Sequence, residues 1–321
     1  MSLMDFTDSN YLSELEIKVQ DLTSQELLEL FPYGTMIDTV VFNVYNSHTK
    51  KRSILKVYKE LSVEIKNWVL VSKLKDKAPM FIPIENIYKS VLPPAEWNPS
   101  KNLLKDLQDG LNKFLDENQR LYYVEINKCG TDLGKYLLDP DKYSYLPYEP
   151  FTSKRLGYYI IQIILSYAFM NYYLGARFHD LHYHNFLLCK ASKNAKYIVY
   201  DLGDRKIYLD TSILNGYILK ITDFDEVEFG TCAVDMSCKN LTLNLLSVKP
   251  TFNLIRDNYE DQYEQDDHIK QLLHFLTDLP IINVNLYELL DYIDGMGVYD
   301  IRDMYKKPLN MESVSEYKLF D

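Results

Sequence analysis

The sequence predicts an α+β fold with two lobes, and three observations support this prediction. In the first third of the chain, short segments alternate apolar and polar residues between turns, a pattern typical of β-strands. Longer segments with apolar residues at helical spacing follow, most clearly at residues 158–175. The chain has 321 residues, 47% of them hydrophobic, so it can bury one or two substantial cores. A strand-rich part followed by a helical part indicates two lobes.

The elements of the strand-rich part follow from its turn and cap residues. Ser62 is expected to cap a helix that ends before Pro79. The segments are a strand, a polar turn, a second strand, the helix and a return to extended structure, at residues 39–45, 46–51, 52–58, 62–75 and 81–88.

Three prolines between residues 93 and 99 mark a break in this part of the chain. Apolar residues at helical spacing after them predict an inserted helix at residues 103–115, ahead of a strand at residues 120–126. Beyond a linker at residues 127–130 the chain is expected to be mainly helical. The clearest helices there are predicted at residues 158–175, 268–276 and 286–293.

The charge balance limits the partners that the chain can bind. It has 35 Lys and Arg residues against 46 Asp and Glu residues, a formal net charge of −11. This argues against nonspecific binding to nucleic acid or anionic membrane, because both attract basic surfaces. We therefore expect no direct nucleic-acid contacts and a charged partner that is basic. A monomer is also expected. Polar residues interrupt the apolar stretch at residues 158–176, which predicts a buried helix and no membrane span.

The four cysteines are few and scattered, which predicts reduced thiols in a cytosol-like compartment. The shortest spacing is C-x5-C, which is neither a redox motif nor a zinc-binding motif. No signal peptide is visible in the first ten residues, so the protein is expected to be intracellular, either cytoplasmic or nuclear. The cysteines are Cys129, Cys189, Cys232 and Cys238.

The most polar cluster of the chain directly follows the long apolar helix, at residues 178–188. It contains Asp180 and, five residues later, Asn185. This stretch resembles the catalytic loop of the protein kinase superfamily, in which the Asp orients the substrate hydroxyl and the Asn binds a metal ion that bridges the ATP phosphates. The resemblance implies that Asp180 is the catalytic base and that Asn185 binds magnesium.

The same cluster allows a second interpretation, because it also contains three histidines. Histidines at close spacing are typical ligands of transition metals. The pattern H-x-x-H-x-H lacks the helical H-E-x-x-H arrangement, however, so a dedicated metal site is the weaker alternative. The histidines concerned are His179, His182 and His184.

A second motif, Asp223-Phe224-Asp225, resembles the kinase Asp-Phe-Gly signature, whose Asp binds magnesium. Asp225 replaces the usual glycine, which makes the following segment less flexible. A competing candidate for the metal-binding Asp is Asp201, because Asp201-Leu202-Gly203 keeps the glycine. Asp223 is preferred because residues 197–209 alternate around a Gly turn like an inserted hairpin.

Upstream, Lys56 fits the position of the kinase lysine that pairs with phosphates on the third strand. Val41 lies fifteen residues before it, where the family has the Val that follows its glycine-rich loop. Of the three loop glycines only Gly34 is kept, since Met36 and Thr39 occupy the other two positions. Side chains at those positions stand where backbone N–H groups would approach phosphate.

The family pairs this lysine with a glutamate on the following helix, and Glu64 is the preferred candidate among Glu60, Glu64 and Asp76. The alternative for Glu64 is a surface ion pair with a lysine. The strand at residues 120–126 resembles the one that enters the kinase hinge. The backbone that would face adenine belongs to Glu125, Ile126, Asn127 and Lys128.

Within the superfamily the chain resembles haspin-like kinases. Three features carry this resemblance: His182 after Asp-Leu, a long insert between Asn185 and Asp223, and no recognisable Ala-Pro-Glu segment. The chain has Phe178-His179-Asp180 where most kinases have His-Arg-Asp, so control by a phosphate on the activation loop is not expected. Acidic residues at 257–267 form either a solvated loop or a site for a basic peptide, and Asp266 or Asp267 could brace the catalytic loop.

The resemblance implies a kinase fold in which a small antiparallel N-lobe sheet with one main helix precedes a mainly helical C-lobe. The implied domains are an extension at residues 1–27, an N-lobe at 28–126 with an insert near 93–118, and a hinge and C-lobe at 127–321 with a β insert near 190–218. The implied activity is a protein Ser/Thr kinase that uses ATP and Mg²⁺. The alternatives are a catalytically weak pseudokinase scaffold and a small-molecule kinase.

Overall fold

The structure is a computed structural model, and it divides into two compact units. The first unit extends to residue 73 and includes residues 82–128, and the second consists of residues 74–81 and everything from residue 129 onward. The residues described are 25–31, 39–46, 50–75, 78–90, 121–191, 195–203, 205–229, 242–263, 267–278, 283–295 and 314–318.

The first unit contains a five-stranded antiparallel sheet, which confirms the small sheet that the sequence predicts. Its strands lie in the order β1-β2-β3-β5-β4, with β3 at the centre. The side chains of β3 from Ser53 onward are mostly buried, because β3 has a strand on each side. The strands are β1 (Gln25–Phe31), β2 (Thr39–Asn46), β3 (Lys51–Tyr58), β4 (Ile84–Ser90) and β5 (Leu121–Asn127).

Helix α1 (Val63–Ser72) lies in the same unit as this sheet. It begins where the sequence predicts, because the hydroxyl of Ser62 accepts a hydrogen bond from the N–H of Ile65 at 3.3 Å. Trp68 is fully buried and donates from Nε1 to the carbonyl of Ile82 at 2.6 Å. The helix is thereby fixed to the segment that leads into β4.

The second unit combines helices with small sheets of two or three strands. Its helices are α2 (Leu133–Leu138), α3 (Ser153–Leu174), α4 (Lys249–Tyr263), α5 (Asp267–Asp278) and α6 (Leu286–Gly295). Its strands are β6 (Arg177–Phe178), β7 (Phe186–Lys190), β8 (Tyr197–Asp201), β9 (Lys206–Asp210), β10 (Tyr217–Ile221), β11 (Val227–Glu228), β12 (Thr242–Asn244), β13 (Asn283–Asn285) and β14 (Val314–Lys318).

Helix α3 lies in the core of this unit, as the sequence predicts, and most of its side chains are fully buried. One of its polar residues, Gln162, has a structural role: its Oε1 accepts from the backbone N–H of Leu219 at 2.9 Å. The helix ends at Gly175, whose φ of 56° is the left-handed conformation that favours glycine. None of the helices in the described ranges is long and apolar enough to cross a membrane.

Two predictions about this unit have clear outcomes. The hairpin predicted at residues 197–209 is present as the antiparallel pair β8 and β9. The prediction of reduced thiols is wrong for Cys129 and Cys189, which form a disulfide with their Cα atoms 4.4 Å apart. These residues are 60 positions apart in the chain, so no spacing motif announces the pair. Cys232 and Cys238 lie outside the described residues.

Several other predictions also fall on residues that are not described. They concern the inserted helix at residues 103–115 and the loop that contains Gly34 and Met36. Asp76 and Asp266, candidates for a helix acid and for the brace of the catalytic loop, lie outside the described residues as well.

Candidate functional site

Lys56 and Glu64 form a buried ion pair in the first unit. Strand β3 places Lys56 opposite Val41 of β2 and Val124 of β5, and both valines are buried. The Nζ of Lys56 donates to the Oε1 of Glu64 at 2.6 Å, and each of the two residues is 8% exposed. The structure thus brings together the two residues that the sequence pairs, and the bond is of the strong, charge-assisted type.

Aromatic rings complete the surroundings of this ion pair. The Nζ of Lys56 lies 5.2 Å from the ring of Trp68 and 5.7 Å from the ring of Tyr58, within the range of cation–π attraction. Burial raises the pKa of Tyr58 above its usual value, with the charge of Lys56 opposing this effect, so the phenol stays neutral at physiological pH. The lysine is therefore held in one position by a carboxylate and two rings.

The residues predicted to face adenine lie at the end of β5. Glu125 and Ile126 pair with strands on both sides, and Asn127 pairs with Ser53 of β3. Lys128 follows the strand, and its Nζ donates to the Oδ1 of Asn43 at 2.8 Å. The predicted adenine contacts remain a prediction for all four residues.

The buried carboxylate of Glu125 has a role that the sequence did not indicate. Its Oε1 accepts from the hydroxyl of Ser53 at 2.6 Å, and its Oε2 accepts from Asn86 at 2.9 Å and from the hydroxyl of Tyr88 at 2.7 Å. These donors come from β3 and β4, so the carboxylate ties β5 to both of its neighbours. A buried carboxylate needs such partners to offset the loss of hydration.

In the second unit, hydrogen bonds fix both the side chain and the backbone of Asn185. Its Nδ2 donates to the carbonyl of Asp180 at 2.8 Å, and its own carbonyl accepts from the N–H of Thr222 at 2.9 Å. Asn185 itself is buried, whereas the side chain of Asp180 is 59% exposed. Because Nδ2 is committed to Asp180, the Oδ1 of the amide is the atom suited to a hard metal ion.

Asp223 follows directly after Thr222, so the hydrogen bond from Thr222 to Asn185 places the segment of Asp223 beside Asn185. Strands β7 and β10 set this register, with Phe186 opposite Ile221. The φ of Asp223 is +68°, a left-handed conformation that aspartate adopts more readily than most residues with a side chain. Residues other than glycine take this conformation at turns and at functional sites.

Asp201, the competing candidate, has a structural function in the hairpin. Its Oδ1 accepts from the N–H of Gly203 at 2.9 Å, and its Oδ2 pairs with Lys206 at 3.0 Å. The carboxylate therefore stabilises the turn between β8 and β9. This geometry favours Asp223 as the functional acid.

The three histidines of the loop have protein partners. His179 lies 3.3 Å from the carboxylate of Glu228, and His182 lies 3.7 Å from that of Asp180. His184 contacts the buried Asp132 at 2.7 Å. Across the described part of the chain, no group of three or more His, Cys, Asp or Glu side chains is arranged to hold a metal ion. The alternative of a histidine metal site thus receives no support.

Two further acidic features have defined positions. Asp225 is exposed and accepts from the N–H of Glu226 at 2.8 Å, which fixes the turn after Phe224. In the acidic run, Asp257 pairs with Arg256 at 2.7 Å, and Asp267 is the exposed first residue of α5.

Comparisons with known proteins find similarity among solved structures. No family model and no curated protein matches the chain. Among solved structures, the crystal structure of the kinase domain of PF14_0431 is similar, with 14% sequence identity and a TM-score of 0.39. The match covers 66% of this chain and 53% of that one, so this chain spans about half of its length. Similarity at this level assigns no function.

Proposed function

We propose that this chain is a kinase that uses ATP and Mg²⁺ to phosphorylate a hydroxyl group of a protein. The observation that carries the proposal is the pair of hydrogen bonds that places Asn185 beside both Asp180 and the segment of Asp223. The carboxylate of Asp223 and the amide of Asn185 form a set of hard oxygen ligands, which is what magnesium prefers. The set therefore fits the metal that phosphoryl transfer from ATP requires.

Each of the residues concerned has a role that its surroundings within its own unit support. Asn185 and Asp223 would hold the metal ion, and Lys56, oriented by Glu64, would hold the phosphates. The exposed carboxylate of Asp180 would orient the substrate hydroxyl and accept its proton. When bound, Mg-ATP supplies the phosphoryl group and the positive charge that neutralises its oxygens.

The finer assignment is to a haspin-like Ser/Thr kinase that acts as a monomer on a basic protein substrate. His182 after Asp-Leu and the hairpin β8–β9 between Asn185 and Asp223 support the haspin-like part. The net charge of −11 supports a basic substrate. The intracellular location is part of the same proposal, although the Cys129–Cys189 disulfide is of a kind more common in oxidising compartments.

Thermal unfolding with ATP and Mg²⁺ tests the nucleotide site. A ligand that binds only the native state stabilises it by about 2.7 kcal/mol at a concentration a hundred times its Kd. We expect ATP to raise the Tm of the wild type in the presence of Mg²⁺, and Asp223→Asn to abolish this increase. Asp201→Asn is the matched control, since it removes the same charge from the hairpin and should lower the starting Tm but keep the increase. No increase at millimolar ATP in the wild type would contradict the proposal.

A phosphorylation screen tests the substrate class. Basic peptides, sugars and aminoglycosides would be offered with radiolabelled ATP and Mg²⁺. Label on serine or threonine of a basic peptide is the expected result. Label on sugars or aminoglycosides alone would favour the small-molecule kinase instead.

The second candidate is a pseudokinase scaffold, and one observation favours it. Lys56 is 8% exposed and enclosed by Glu64, Trp68 and Tyr58, so its ammonium group is held away from solvent. The sequence also replaces two glycines of the phosphate loop with Met36 and Thr39. An ATP-dependent increase in Tm without any phosphoryl transfer to peptides or small molecules would identify this second candidate.

A further inference from the structure

The segment after β5 is fastened to the loop of Asp180 and Asn185 by a series of contacts within the second unit. We call this the clasp, formed by residues 129–134 on one side and residues 183–189 on the other. Its contacts are the Cys129–Cys189 disulfide, the Gly130 N–H donating to Leu188 O at 2.8 Å, the Leu188 N–H donating to Thr131 O at 2.9 Å, the bridge between Asp132 and Leu187, and the Asp132–His184 hydrogen bond.

Two glycines allow the sides of the clasp to approach each other closely. A Cβ atom on Gly134 would overlap the ring of Tyr183, and one on Gly130 would lie 2.6 Å from the carbonyl of Leu188. The clasp is thus a fitted contact between the first turn of α2 and the loop.

Asp132 is the central charged group of the clasp. It is 4% exposed, and its Oδ1 accepts from the N–H of Lys135 at 2.9 Å, which caps α2. Its Oδ2 pairs with the Nζ of Lys135 at 3.1 Å. Its Oδ1 also lies 2.7 Å from the Nδ1 of His184. The first contact is the helix cap and the second is an ion pair within the same turn, but the contact with His184 reaches across to the loop, 52 residues further along the chain.

The hydrogen-bond partners define how the histidines are oriented. A carboxylate can only accept, so the Nδ1 of His184 donates to Asp132. The backbone N–H of His184 donates to the Nδ1 of His182 at 3.2 Å. The other ring nitrogen of His182, Nε2, therefore faces the carboxylate of Asp180 at 3.7 Å. A continuous series of contacts runs from the buried Asp132 to the exposed Asp180.

We propose that Asp132 is a positioning residue which, through His184, holds His182 and the loop of Asp180 and Asn185 in place. Its effect on catalysis rests on the proposed function, because it acts on the residues to which phosphoryl transfer is assigned. Loss of the contact leaves the fold of α2 intact but lets the loop move. Small displacements of reacting groups lower catalytic rates strongly, by about 10²-fold for 1 Å.

Asp132→Ser separates this role from the helix cap. Serine is a good N-cap, so α2 keeps its start, but the shorter side chain loses the contact with His184. His184→Ala breaks the same contact from the exposed side and leaves Asp132 with Lys135. Asp139→Ser is the matched control, because Asp139 is an exposed acid at the other end of α2.

A histidine NMR experiment on the full chain tests the contact without any need for activity. With ¹⁵N-labelled histidine, long-range ¹H–¹⁵N correlations report which ring nitrogen carries a proton, and His184→Ala assigns one of the six histidines. We expect the wild type and Asp139→Ser to show the same protonated Nδ1 of His184, and Asp132→Ser to shift it and the His182 signals. Unchanged His182 and His184 signals in Asp132→Ser would overturn the proposal.

Steady-state kinetics then tests the effect on the loop. We expect Asp132→Ser and His184→Ala each to lower kcat by roughly 10-fold or more, with KM for ATP changed by less than about twofold. The double variant should fall no further than either single variant, because both remove one contact. Additive losses, or an unchanged kcat in Asp132→Ser, would overturn the proposal. A wild type without phosphoryl transfer refutes the proposed function, and the histidine spectra still decide whether Asp132 orients the loop.

Discussion

Lys56 and Asp180 are the two charged residues that the proposed function needs most, and the structure holds them in opposite ways. Lys56 is buried in the first unit, bonded to Glu64 and covered by aromatic rings. The carboxylate of Asp180 is 59% exposed in the second unit, on a loop fixed by hydrogen bonds from Asn185 and by the clasp. The position of Lys56 is therefore coupled to the folding stability of its unit, whereas the charge of Asp180 can be removed at little cost in stability.

Asp180→Asn is expected to have the largest effect of all on activity and almost none on stability. The loss of a catalytic base lowers rates by about 10²–10⁴-fold. The change keeps the shape of the side chain, and the bond from Asn185 is to the backbone carbonyl, so the Tm should stay within about 1 °C of the wild type. Peptide phosphorylation and thermal unfolding on one preparation measure both quantities. A variant that phosphorylates as well as the wild type would remove Asp180 from the mechanism.

Glu64→Gln is expected to act on stability as well as on activity. Removing one partner of a buried ion pair leaves an uncompensated charge and costs about 3–5 kcal/mol. Glu60→Gln is the control, because Glu60 is an exposed acid shortly before the same helix. Urea unfolding of the two variants measures the difference.

The double variant Lys56→Met with Glu64→Leu sharpens this result. Apolar side chains of similar volume often replace a buried ion pair without loss of stability. We expect the double variant to recover most of the stability that Glu64→Gln loses, but no activity. If Glu64→Gln instead matched Glu60→Gln in stability, the pair would behave as a surface contact and the comparison with Asp180 would fail.

Cys189→Ser tests how far the covalent end of the clasp stabilises the second unit. A disulfide between residues 60 positions apart restricts the unfolded chain, and its loss should lower the free energy of unfolding by about 2–4 kcal/mol. Reduction of the wild type should produce the same loss, and a reductant should leave Cys189→Ser unchanged. Peptide mapping under non-reducing conditions checks the pairing. Recovery of Cys129 and Cys189 in unlinked peptides from oxidised protein would contradict the structure.

The local elements of both sites could be predicted from the sequence, because neighbouring residues decide them. Ser62 caps its helix as expected, and Lys56 and Glu64 are only eight residues apart, so one strand and one helix bring them together. The Asp132–His184 contact joins residues 52 positions apart. No local sequence pattern indicates such a partner, because the contact depends on how distant parts of the chain pack together.

The two buried carboxylates also have partners that the sequence does not indicate. The sequence around Glu125 indicates a hinge strand, and that around Asp132 indicates the start of a helix. Neither pattern indicates that the carboxylate is buried. Their partners, Ser53, Asn86, Tyr88 and His184, lie on other elements. The sequence does indicate one role of Asp132, because it precedes a short apolar helix as a capping residue does. Its contact with His184 could not be predicted without knowing where the loop packs.

Gly134→Ala is expected to have the smallest effect, and it tests whether the packing of the clasp is as tight as the hydrogen bonds suggest. The added methyl group would overlap the ring of Tyr183, so the loop or α2 must shift, at a cost of about 1–3 kcal/mol. Gly295→Ala is the matched control, because a Cβ atom there meets no atom within 4 Å and Ala favours a helix. Urea unfolding of both variants gives the difference, and histidine NMR spectra show whether His184 moves. Equal stability of the two variants would mean that the Tyr183 ring moves aside without a measurable cost in stability. The hydrogen bonds of the clasp, and not its packing, would then hold the loop.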